Sequence, residues 1–156
     1  MSKYSKYNLS TFDGLRLERA FERNVINYAT IYFKGIDFGA GFDYLLNASN
    51  GGIIITTGNC TISGQGSTYN QALNATIFGQ IILGSYTVTI SNTPNYYKFA
   101  ISADGGYIQS NATFSGSATG GRYLCYDNSI IQTNGAGANY FPGNAGGIAY
   151  SGGLYL

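Results

Sequence analysis

Charge divides this chain in two. Residues 1–43 carry 11 of its charged side chains, and residues 44–156 carry only Lys98, Asp104, Arg122 and Asp127. The same long segment holds 19 of the 23 glycines. Four charges cannot solubilise a body of that length, so its outside must consist of Ser, Thr, Asn, Gly and Tyr. A neutral surface of this kind favours association. Across all 156 residues the charged share is 10%, against about 25% in an ordinary soluble domain. The apolar share of 44% supports a core for one domain.

The missing residue types exclude whole classes of chemistry. The chain has no histidine, so it has no His-based triad, imidazole base or His-ligated zinc. A net charge of +1 leaves no electrostatic footprint for nucleic acid. No apolar run of about 18 residues is present to span a membrane as a helix. Glu18 and Glu22 share a helical face, but Arg16, Arg19 and Arg23 interleave them and make that face a solvated or docking surface. Asp104 and Asp127 sit in turn sequences. Asp37 and Asp43 are the one carboxylate pair without a turn explanation. Their Gly-rich stretch lacks the spacing and lysine of a phosphate loop and the oxygen ligands of a calcium loop. A bend between strands is the better reading. We expect no enzyme, no catalytic or metal-ligating residue and no cofactor.

Cys60 and Cys125 read as buried apolar residues in preference to a disulfide. Met1-Ser2-Lys3-Tyr4 opens no apolar signal region, and synthesis in a cytoplasm disfavours disulfides. For the same reason the five Asn-x-Ser/Thr triplets, at Asn8, Asn47, Asn59, Asn74 and Asn111, are not taken as glycosylation sites.

Asp13 is placed to cap a helix over about 15–24, with Leu17 and Phe21 as its apolar stripe. Ahead of it, Tyr4 and Tyr7 punctuate a polar arm. From Tyr28 the hydrophobic period becomes two. Residues 28–34, 53–57, 86–91, 97–101, 107–109, 112–114, 122–126 and 129–133 read as short strands. Tyr86, Val88 and Ile90 are expected to face inward, and Asn92-Thr93-Pro94-Asn95 to turn into a return strand carrying Tyr97, Phe99 and Ile101. Asp104-Gly105 is the strongest short hairpin signal in the chain. Together these predict an all-β fold, an antiparallel sandwich or barrel with an N-terminal arm and one short helix. The expected division is 1–27 as arm and docking helix and 28–156 as a β-rich domain. Gly-Gly pairs at 51, 105, 120, 146 and 152 are irregularly spaced and support no solenoid repeat. A parallel β-helix is the second architecture, allowed by Gly-Asn-Thr-Ile-Ser patterns.

Residues 135–156 contain seven glycines and no charge. They suit a last strand, and also a homotrimer contact built from Tyr140, Phe141, Tyr150 and Tyr155. The run Asn-Tyr-Phe-Pro-Gly-Asn-Ala-Gly-Gly, with Gly-Gly-x-Tyr near the end, resembles C-terminal endings of small virion proteins of tailed bacteriophages, namely capsid decoration proteins and head or tail fibres. The resemblance covers these 22 residues alone and implies a homotrimer on the outer surface of the particle, made in the host cytoplasm. The expected function is then a decoration (cement) protein. Tyr4, Tyr7, Arg16, Arg19, Phe21 and Arg23 would contact the major capsid protein or another virion protein, and no nucleic acid or membrane is involved. The alternative is a fibre that recognises host surface glycans through its many Tyr and Asn. Filling sheet surfaces and subunit contacts is the preferred role for the tyrosines.

Overall fold

The computed structural model describes residues 10–13, 16–17, 24–25, 28–39, 44–64 and 70–156, with side chains for 28–39, 44–64 and 70–156. Its elements are strands throughout, coiled into a parallel β-solenoid of about four turns. Four consecutive turns each contribute three strands. They are β4 (Thr30–Lys34), β5 (Asp37–Phe38) and β6 (Tyr44–Ala48); β7 (Ile53–Thr56), β8 (Cys60–Ile62) and β9 (Gln71–Ala75); β10 (Gln80–Leu83), β11 (Thr87–Ile90) and β12 (Asn95–Ser102); and β13 (Tyr107–Ser110), β14 (Thr113–Ser115) and β15 (Thr119–Cys125). Before them lie β1 (Ser10–Asp13), β2 (Arg16–Leu17) and β3 (Asn24–Val25), and after them β16 (Ile130–Gln132), β17 (Ile148–Ala149) and β18 (Leu154–Tyr155).

The strands stack into three parallel sheets. The first is β1-β4-β7-β10-β13-β16-β18, the second β14-β11-β8-β5-β2, and the third β17-β15-β12-β9-β6-β3. No described strand pairs with its neighbour in sequence. Each strand inside a sheet is bonded to the equivalent strands one turn before and one turn after, and the strands at the sheet ends to one of these.

Register therefore places equivalent residues in columns. Ile31, Ile54, Ile81, Ile108 and Ile131 form one continuous column in the first sheet. The last four are 0% exposed, and each such side chain contributes roughly 1.5–3 kcal/mol by leaving water. Leu46, Leu73, Ala100 and Tyr123 form the matching column of the third sheet. Beside it Asn47 and Asn74 stack, and the Asn74 amide donates to Asn47 Oδ1 at 2.7 Å. An amide both donates and accepts, so it satisfies its own copy on the next turn.

The corner that leads into the first sheet explains much of the glycine. It recurs at Asn50-Gly51, Ile77-Phe78, Asp104-Gly105, Asp127-Asn128 and Ser151-Gly152, and both central residues have φ between +48° and +77°. This is the type I′ backbone of a tight hairpin. The following amide closes the turn in four copies: Gly52 to Ser49 O (2.9 Å), Gly79 to Thr76 O (2.9 Å), Gly106 to Ala103 O (2.8 Å) and Gly153 to Tyr150 O (2.8 Å). A Cβ on Gly79, Gly106 or Gly153 would run into the carbonyl of Ala48, Ala75 or Cys125 on the preceding turn. Where Ser129 takes the equivalent place, its hydroxyl donates to the facing Ser102 carbonyl at 2.6 Å.

Several expectations are corrected here. The fold is a solenoid, and the antiparallel sandwich or barrel is overturned by parallel pairing in every described ladder. The helix over 15–24 gives way to strands at Arg16–Leu17, paired with β5, and Asn24–Val25, paired with β6; residues 18–23 lie outside the described residues. Asp104-Gly105 makes a tight turn, but β12 and β13 leave it into different sheets. Likewise β11 and β12 form no hairpin. Val88 and Ile90 face inward as expected, while Tyr86 is 40% exposed. A β-bulge between Tyr96 and Lys98 shifts the phase of β12. It buries Tyr96 and Phe99 and turns Tyr97 outward.

The corner yields a direct test. Gly106→Ala is expected to lower unfolding stability by about 3 kcal/mol through the clash with Ala75 O. Gly146→Ala, where a Cβ meets nothing within 4 Å, stays within about 0.5 kcal/mol of the native chain. Urea titration followed by far-UV circular dichroism measures both.

Candidate interaction surface

The residues singled out from the sequence fall into three groups. Arg16 lies on β2, in register with Asp37 on β5. Tyr4, Tyr7, Arg19, Phe21 and Arg23 lie outside the described residues, as does Asp43. The four C-terminal aromatics separate into two sites.

Tyr140 and Phe141 lie on the connection from β16 to β17, where a further strand of the second sheet would otherwise run. Phe141 is 1% exposed. Its ring lies 6.0 Å from Phe99, 5.8 Å from Phe114 and 5.0 Å from Tyr140 between centroids. The Tyr140 hydroxyl is 2.7 Å from Ser110 Oγ and donates to Ala112 O at 2.7 Å. Tyr155 stacks on Tyr123 at 3.8 Å and donates to Gly137 O at 2.9 Å. Three of the four aromatics thus close the core of their own chain. Tyr150 alone is on the outside, 49% exposed and stacked on Tyr126 at 5.4 Å.

Burial decides the titration of this cluster. Desolvation pushes the Tyr155 phenol up to about 12. It also raises Tyr140, against the hydrogen bonds with Ser110 and with the Ala112 backbone, which lower it. Cys60 and Cys125 are free and buried, and burial raises both thiols.

Among the described residues, one interior gap is too small for anything but water. This gap of about 20 Å³ is lined by apolar side chains including Phe38, Leu46, Leu83, Phe99 and Phe114. That is space for about one water, with no polar group to hold it. Asp104 and Asp127 occupy the left-handed corner described above, which accounts for both as turn residues.

The larger surface feature is the outer face of the first sheet. One outward row runs Thr30, Ile53, Gln80, Tyr107, Ile130 and Leu154. The next runs Tyr32, Ile55, Ile82, Gln109 and Gln132. Neither row carries a charge. All of these residues are half-buried by their column neighbours except Leu154, which is exposed. Sequence reasoning missed this face, although a signal was present. Ile53-Ile54-Ile55, Ile81-Ile82 and Ile130-Ile131 place isoleucine at consecutive positions, so both faces of those strands are apolar.

Comparison of the chain with protein-family models, with curated proteins and with solved structures finds no match.

Two measurements separate core from surface among the aromatics. Phe141→Ala is expected to cost about 3–5 kcal/mol, and Tyr150→Ala about 1 kcal/mol or less, both by urea unfolding. The phenols and thiols have raised folded-state values, so below their ordinary ranges they are neutral in both states and contribute fully. As pH rises through about 9 to 12 the unfolded chain ionises first, and stability falls. Urea midpoints between pH 8 and pH 11 are expected to decline steadily, and Tyr155→Phe to flatten the upper part of that decline.

Proposed function

We propose that this chain is a non-catalytic structural rod that works in several copies, of the virion-fibre kind implied by its C-terminal ending. The observation that carries the reading is the uncharged, isoleucine- and tyrosine-rich outer face of the first sheet. Alone in water, such a face is a liability. Further copies of the same solenoid, each turning this face toward a shared axis, fit it best. Their surfaces repeat at the strand spacing of about 4.8 Å, so rows of one copy seat between rows of the next along the rod. The one charged side chain beside these rows is Lys34 at the end of β4, so a charged partner gains little from them.

Decoration of a capsid through a docking helix is the less favoured role. The segment meant to form that helix supplies strands to the second and third sheets, and so belongs to the rod. Three copies about one axis is the arrangement the resemblance implies, and a closed ring leaves no copy with a free apolar face.

Light scattering on the purified protein tests this. The expected mass is three times the chain mass of 16.6 kDa. Ile55→Lys combined with Ile130→Lys, which lie on strands that do not pair with each other, is expected to give a single chain with unchanged circular dichroism. A native protein that runs as one chain at all concentrations would overturn the proposal.

A further inference from the structure

The corner into the first sheet carries a second feature that folding does not demand. Its third positions are linked turn to turn by backbone bonds: Tyr28 N–H to Asn50 O, Gly51 to Ile77 O, Phe78 to Asp104 O, Gly105 to Asp127 O and Asn128 to Ser151 O. Large and small residues alternate along this column: Tyr28, Gly51, Phe78, Gly105. The Tyr28 ring reaches over Gly51, and the Phe78 ring over Gly105, to 2.6 and 2.7 Å from where a Cβ would stand. Yet Tyr28 is 87% and Phe78 70% exposed, and Ile77 beside it is 46% exposed.

Ile77 and Phe78 adopt this corner at φ of +50° and +59°. Left-handed backbone is unfavourable for β-branched and aromatic residues and easy for Asn and Gly. Asn50-Gly51 and Asp104-Gly105 build the same corner without that strain. Neither turn formation nor burial explains an aromatic here, and strained, exposed positions of this sort mark ligand contacts.

We infer that this corner is a binding ridge for an extended, neutral glycan. Tyr28 and Phe78 are two turns apart, about 9.6 Å at the spacing of parallel strands, which is about the reach of two sugar rings in an extended chain. Each ring presents an apolar face for stacking on a pyranose. Gly51 and Gly105 keep the backbone low beside each ring. Asp104 and Asp127, the only carboxylates in residues 44–156, both lie on this ridge and are exposed. They accept hydrogen bonds from sugar hydroxyls and repel acidic saccharides. The inference uses none of the outer-face residues and holds whether or not the rods associate.

The test is binding of the full chain to immobilised glycans, neutral and acidic, with a soluble β-1,4-linked glucose hexamer as competitor, alongside Phe78→Asn and Tyr28→Asn. Asn suits the left-handed corner, so Phe78→Asn is expected to keep or raise the urea midpoint. Both variants are expected to weaken neutral-glycan binding about tenfold or more. Retention of no neutral glycan, preference for acidic ones, or undiminished binding by Phe78→Asn would overturn the inference. A lowered midpoint in Phe78→Asn would do the same, because it would assign the ring to packing.

Discussion

Backbone hydrogen bonds between successive turns hold this structure, and they act at sequence separations of 23 to 27 residues along the isoleucine column. Parallel pairing in register places every residue directly above its equivalent. Columns of isoleucine bury one another along the axis, and the Asn47–Asn74 pair satisfies itself. Equivalent charges would face each other at one strand spacing and repel. That repulsion disfavours like charges at equivalent positions. The charges that do lie on strands meet opposite ones, Asp13 with Lys34 and Arg16 with Asp37, or neutral residues, as Lys98 does at Gln71 and Gly121. Register also sets the size limit at the corner, where Ala48, Ala75 and Cys125 stack at 0% exposure under the closing glycines and Ser102 under Ser129.

A solenoid must end its stack without the neighbour that would complete the next turn. Here the second sheet stops at β14, and the connection from β16 to β17 replaces the missing strand with rings. Phe141 packs against Phe114 and Phe99, and Tyr140 bonds back to Ser110 and Ala112. An aromatic plug does for the core what another strand would do, with a few hydrogen bonds in place of a ladder. The glycines at 135 and 137 have φ of +78° and +87° and let the connection loop out and return.

Much of the local structure is legible in the sequence. The period of two marks β4, β7, β11, β13, β15 and β16, because alternation around Ile54, Val88, Ile108 and Ile131 depends only on one buried face. The pairing of those strands is not legible. Half-buried strands alternate in the same way whether their neighbours run parallel or antiparallel, and a type I′ sequence such as Asp104-Gly105 closes a hairpin or a solenoid corner equally well. The repeat is hidden by its own irregularity. The Gly-Gly pairs at 51, 105 and 152 occupy one corner, but Ile77-Phe78-Gly79 and Asp127-Asn128-Ser129 occupy it too, and turn length changes between them. The C-terminal aromatics stand out as a group in the sequence, but chain proximity cannot tell the inward Phe141 from the outward Tyr150.

The departures from the repeat carry the most information about use. At Asn50, Asp104 and Asp127 the corner follows what a left-handed backbone prefers, and each needs no further account. Ile77-Phe78 goes against that preference, and its side chains gain little burial in return. The corner ends two residues before each strand of the first sheet, so the strained aromatic column borders the uncharged outer face without sharing residues with it. A rod built from one repeated turn thus separates two tasks by direction. Outward side chains on the strands are free to match another copy, and side chains on the corner are free to meet something else, because neither set is needed to hold the turns together.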